Sequence, residues 1–221
     1  MKTWLGNNRG FLVFLALFAV LRTAVADWNS VPSGSMRPTI VEGDVVLVNR
    51  LAYALKLPFT DVELLRTGEP RRGDVATFSS PRDGTRLVKR IVAVGSDVVA
   101  MRDGALWING EAARHGGLVV VEAEYVARGV ETSVLQADES LAGSHRRVQW
   151  LPRAPSMRDF DSVTVPADHV MALGDNRDNS LDSRYYGFVP RHLLIGRAHR
   201  ILVSGNVTRF ELRTERVGRG L

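Results

Sequence analysis

From residue 41 onward the chain is cut into short β-branched runs by glycine-containing turns. This pattern constrains the fold more than any other feature. GDVVLVNRLAYAL (43–55), RRGDVATFSSP (71–81), TRLVKRIVAVGSD (85–97) and MRDGALWINGEA (101–112) each join a Val-, Ile- or Ala-containing stretch to such a turn. Period-2 alternation broken this way specifies strands, and Asp-Gly with Asn-Gly inside 101–112 specifies a hairpin. DHVMALGDNRDNSLDSRYYGFVP (168–190) starts as a strand and becomes a loop dense in Asp, Asn and Ser, and HLLIGRAHRILVS (192–204) returns to strand. Residues 113–165 have weak periodicity and read as inserted short strands and loops. RTERVGRGL at the end reads as a frayed tail. With no internal repeat or heptad, a mainly β body is expected.

Composition narrows the chemistry. The chain has 221 residues, 20 Gly and 9 Pro, and no Cys. Disulfides, thiolate nucleophiles and Cys-ligated metals are therefore excluded. Lysine occurs only at Lys2, Lys56 and Lys89, and every other basic residue is arginine. Codon bias accounts for the ratio. Even so, arginine keeps its proton in a protein while a buried lysine can lose it, so each lysine is worth a separate question. The net charge of +5 comes from scattered arginines, without a basic helix or zinc-finger spacing. Nucleic acid is not expected, and an anionic membrane surface is the better match.

The N-terminus has two readings. GFLVFLALFAVL (10–21) follows Lys2 and Arg9, and TAVAD follows Arg22. A basic start, a short apolar run and AVA at 24–26 fit a cleavable leader. The same residues fit a membrane anchor in which Arg22 reaches the headgroups and Trp4 and Trp28 mark the interfaces.

VPSGSMRPTI (31–40) holds two serines with no neighbouring base. The five histidines lie outside any motif. In LVKRIVAV, alternation puts Leu87, Lys89, Ile91 and Ala93 on one face. Burial there lowers a lysine pKa from about 10.4, and a neutral amine can take a serine proton. The alternative is a lysine reaching to solvent from a sheet edge. GDNRDNSLDSRYYG (174–187) has the Asp and Asn content of a calcium loop but lacks its spaced Gly and terminal Glu, and it carries Arg177. The other reading is a polar loop that bonds its own backbone and fixes a neighbouring site.

Taken together, PSGSMRPT (32–39), GDVVLVNRLAY (43–53), RRGDVATF (71–78), RLVKRIVAVGSD (86–97) and GDNRDNSLDSRYYGFVP (174–190) resemble type I signal peptidases. These are membrane-bound Ser–Lys endopeptidases that remove signal peptides from exported preproteins. The resemblance implies Ser35 as nucleophile and Lys89 as general base. It implies Ser33 as an oxyanion-hole hydroxyl, Ser180 as a hydrogen-bond partner of the lysine amine, and Asp182, Arg184, Arg90 and Gly174 as structural support. It implies an antiparallel β catalytic core (28–102 and 166–210) with an inserted β subdomain (103–165) and a tail (211–221). Before these come a cytoplasmic N-terminus (1–9) and one retained transmembrane helix (10–27). No metal or cofactor is implied. The implied partners are preprotein signal peptides cut after Ala-x-Ala and membrane lipid, with the enzyme in the bacterial inner membrane and its catalytic domain outside; the oligomeric state is left open, a monomer being the expectation. Two rivals stand beside this reading: a conjugation-type peptidase that matures one protein, and an inactive tethered β-rich binding module.

Overall fold

A computed structural model describes residues 8–58, 60, 62–121, 126–127, 130–131, 133–206 and 211–221. Most of the expected cytoplasmic N-terminus, with Lys2, lies outside them. Helix α1 runs over Arg9–Ala24 and strand β1 over Ala26–Ser30. The membrane helix expected over 10–27 therefore ends early. At a rise of about 1.5 Å per residue α1 spans about 24 Å. No helix among the described residues is long and apolar enough to cross a membrane. Asp27 accounts for the early end. Its backbone pairs with Val48, and its buried carboxylate gathers Arg22, Arg50 and Arg86 at 3.4, 3.6 and 3.1 Å. Arg22 is thus held over the Trp28 ring, 4.4 Å from its centroid, with its side chain about half exposed.

The strands that follow are β2 (Asp44–Asn49), β3 (Ala54–Lys56), β4 (Glu63–Arg66), β5 (Val75–Ser79) and β6 (Arg86–Val94). After the insertion come β16 (His169–Leu173), β17 (Val189–Pro190), β18 (Leu194–Asn206) and β19 (Glu211–Leu212). One antiparallel sheet runs β1-β2-β18-β5-β6-β16-β17, with β19 on β18. It curls: Arg86, at the head of β6, donates to Asp27 and to Asn29 of β1 at 3.1 and 2.9 Å. Alternation along β2 buries Asp44, Val46 and Val48, and the two valines pack with Met36, Ile40 and Ile201. β3 and β4 form a separate hairpin. Lys56 on β3, which the sequence left without a role, is buried and donates to the His192 carbonyl at 2.7 Å.

The insertion contains β7 (Val98–Arg102), β8 (Ala105–Ile108), β9 (Glu111–Ala112), β10 (Arg114–Val121), β11 (Val126–Ala127), β12 (Val130–Glu131), β13 (Val134–Leu141), β14 (Ser144–Trp150) and β15 (Phe160–Thr164). Asp103-Gly104 and Asn109-Gly110 turn with positive φ at both residues, the geometry that suits an antiparallel hairpin. One sheet is β15-β7-β8-β9 and another is β10-β13-β14. Because β7 already belongs to the first of these, the second layer starts at Val98, ahead of residue 103. Leu106, Ile108 and Leu141 share a core with Val92, Met171 and Leu173 of the main sheet.

The last residues do not fray. Arg216 donates to Asp44 at 2.6 Å, Arg213 donates to the carbonyls of Glu42 and Gly205, and Leu221 packs on the core around Val46. Asp44 is fully buried, so the tail carries its counter-charge. Arg216→Met should strand that carboxylate and cost about 3 kcal/mol. A lowered denaturation midpoint would show it, and an unchanged midpoint would mean that the tail is dispensable.

Candidate active site

After β1 the chain makes one tight helical turn, Gly34–Met36, anchored by the buried Met36 side chain. The turn presents Ser33 and Ser35 with their hydroxyl oxygens 3.5 Å apart. Lys89 on β6 lies opposite Ala76 of β5 and is almost wholly buried. Its Nζ donates to Ser35 Oγ at 2.6 Å. Leu87 and Ile91 pack around Phe78 in one cluster while Val88 packs in another, as alternation requires. Beyond Ile91 a register shift against β16 breaks the alternation. Ala93, expected on the lysine face, joins the insertion's core instead.

Burial pulls the Lys89 ammonium down to about 8. Asp182 and Asp175 oppose this by favouring the charge, and Arg184 assists it.

The loop after β16 wraps behind the serine turn. Arg90 grips Asp175 with two hydrogen bonds of 2.9 and 2.7 Å and also holds the Gly73 carbonyl. Asp182 caps the short helix α2 (Ser183–Tyr186), accepts the Gly174 N–H at 3.0 Å and makes two 2.8 Å contacts with Arg184. Asp178 pairs with Arg158. The loop's carboxylates are thus neutralised by arginines, each from a different segment.

One expected detail differs. Ser180 Oγ is buried near the turn but has no hydrogen-bond partner, so its expected bond to the lysine amine is not formed. Gly34 is closely covered by side chains: a Cβ there would lie 2.6 Å from Oε1 of Glu42, a residue that pairs with Arg37. Gly174 is tighter still, since a Cβ would lie 2.3 Å from Ser180 Oγ and 2.4 Å from the Ser35 carbonyl oxygen.

Asn176, which the sequence reading passed over, ties the loop to the turn. Its backbone N–H donates to Ser35 O at 3.1 Å and its Nδ2 donates to Gly34 O at 3.0 Å. Its one signal in the sequence is its place inside GDNRDNSLDSRYYG (174–187).

Ser33, Ser35 and Lys89 line a cleft of ≈ 480 Å³ between β1 and the start of β6. Trp28, Val31, Leu87 and Val88 add an apolar lining, and no histidine is among the described residues that line it. Among the described residues lining the cleft, Lys89 is the one ionisable side chain hydrogen-bonded to Ser35 Oγ.

The family profile described as signal peptidase, peptidase S26, matches residues 4–203. The chain is 35% identical to signal peptidase I of Pseudomonas fluorescens over 89% of its own length and 72% of that protein's. It is 32% identical to signal peptidase I of Pseudomonas aeruginosa over the same shares. With signal peptidase I of Aquifex aeolicus it shares 30% identity over 89% of this chain and 83% of that one.

Gly174→Ala should push Ser180 and the serine turn apart. A displacement of about 1 Å in a reacting group costs about 100-fold in kcat. Wild-type kcat in a folded Gly174→Ala protein would mean that the turn tolerates the shift.

Proposed function

Since the chain belongs to the signal peptidase family of peptidase S26 and is a serine protease that removes signal peptides, we propose that it works through Ser35 and Lys89. The observation that carries this reading is the 2.6 Å approach of the buried Lys89 amine to Ser35 Oγ.

The steps follow from the proton positions. Neutral Lys89 takes the Ser35 proton as Oγ bonds to the scissile carbonyl carbon. The oxyanion that forms points at the Ser35 N–H and the Ser33 hydroxyl; one such donor is worth about 2.7–4 kcal/mol. The Lys89 ammonium then protonates the leaving amine as the C–N bond breaks, which leaves a Ser35 ester. Water, deprotonated by Lys89, attacks the ester and releases the carboxylate and the free serine. Ser180 Oγ, buried without a partner, is available to orient the amine once substrate has excluded water. Arg90, Gly174, Asp182 and Arg184 hold the loop behind it.

The substrate is an extended preprotein segment with small residues before the cut, of the Ala-x-Ala type. β1 pairs with β2 along one edge and turns the other toward the cleft, which supports strand addition with alternate side chains in shallow pockets. Helix α1 exposes Phe11, Phe14, Leu17 and Phe18, which supports an enzyme tethered to the cytoplasmic membrane with its β body on the outer side.

Ser35→Ala, Lys89→Ala and Lys89→Arg should each lower kcat/KM by at least ~10³-fold with the fold kept, because arginine cannot act as a neutral base. In the wild type the neutral amine is the active form. Activity should therefore be full only well above pH 8, be half-maximal near about 8, where burial has moved the Lys89 pKa, and keep falling as pH drops further. A limb that stays in place in Lys89→Arg, with turnover retained, would rule out the dyad.

A further inference from the structure

Arg177 is the largest fully buried side chain among the described residues. Both of its terminal nitrogens donate to Glu139, at 2.8 and 2.6 Å. Glu139 is fully buried in the middle of β13, the central strand of the inserted three-stranded sheet. His115 of β10 and Arg146 of β14 lie directly across from it in register, and both reach its carboxylate. The mechanism above gives Glu139 no part.

The position of Arg177 suggests one. Its backbone N–H donates to Gln149 of β14 at 2.9 Å, and its carbonyl accepts from Arg184 at 2.6 Å. Side chain and backbone are therefore fixed together, and the residue before it is Asn176. Asn176 Nδ2 pulls on the Gly34 carbonyl. That carbonyl and the Ser35 N–H belong to one planar trans peptide and point in opposite directions. Whatever fixes the Gly34 oxygen therefore aims the Ser35 N–H.

We propose that Glu139 is a positioning residue for the oxyanion donor: through Arg177 and Asn176 it sets the direction of the Ser35 N–H. The proposal rests on the reading of Ser35 as the nucleophile. It gives the inserted sheet a catalytic task, since the sheet supplies the buried anchor against which the loop is registered. An ion pair this deep is a poor source of net stability, and apolar residues of similar volume serve stability as well or better. It does fix a geometry, because the carboxylate and guanidinium meet in one bidentate orientation.

The test uses the full chain in detergent micelles. It compares a cleavable preprotein peptide, a non-cleavable peptide of the same sequence, and a peptide aldehyde that adds to a serine hydroxyl as a tetrahedral hemiacetal. Glu139→Gln should lower kcat by about 10- to 100-fold, as expected of a displaced site. It should weaken the aldehyde by a similar factor, yet leave KM and non-cleavable peptide affinity within about twofold. The pH limb should stay in place, since Lys89 is untouched. Glu139→Asp keeps the charge, withdraws it by one methylene, and should show the same split in milder form if the Gln variant does not fold. Arg146→Met leaves the Glu139–Arg177 pair intact and should lower the melting temperature with kcat kept. Normal kcat and aldehyde affinity in folded Glu139 variants would overturn the proposal, as would an equal loss in Arg146→Met. A Ser35→Ala enzyme that still cleaved would instead overturn the nucleophile reading beneath it.

Discussion

The carboxylates whose fields reach Lys89 are each held by an arginine, and the site depends on that arrangement. Asp175 is bound by Arg90 and Asp182 by Arg184. An unpaired carboxylate in so dry a place would hold the lysine as an ammonium. Desolvation outweighs the fields of Asp182 and Asp175, the Arg184 guanidinium offsets part of them, and the amine falls to about 8. The same two pairs fix the backbone behind the serine turn, so one set of contacts both tunes the Lys89 amine and places it against Ser35.

That loop is braced from three directions. Arg90 ties it to the core sheet, Asp182 to the short helix that follows, and Arg177 and Asp178 to the insertion through Glu139 and Arg158. Buried pairs of this kind add little net stability, but removing one partner costs about 3–5 kcal/mol. The loop should therefore be rigid and intolerant of single changes. The main sheet's curl completes the site by bringing β1 and the head of β6 to the two sides of one cleft.

Much of this was legible in the sequence where the chemistry is local. Asp-Gly and Asn-Gly dictate their own backbone angles, so the hairpins at 103–104 and 109–110 could be read directly. Alternation placed Lys89 on the Leu87–Ile91 face, and it failed only past the register shift against β16. Glu139 gave no signal: one carboxylate in an ordinary alternating strand, whose arginine partner is 38 positions away. The tail misled for a similar reason. RTERVGRGL is polar and glycine-rich, and its order comes from a buried Asp44 at the far end of the chain. The apolar N-terminal run showed a helix but not its end, because the end is set where Asp27 on β1 collects Arg22 of the helix itself, Arg50 just past β2 and Arg86 at the head of β6.

The central claim is that burial keeps the Lys89 amine near neutrality. With only three lysines in the chain, it can be examined directly. Lysine labelled with ¹³C at Cε gives at most three methylene signals in the detergent-solubilised enzyme, and Lys89→Arg identifies one of them. The account predicts that this signal titrates with a midpoint near 8, while an exposed lysine titrates near the ordinary value of about 10.4. A Lys89 signal that stayed charged up to the ordinary lysine range would contradict the account.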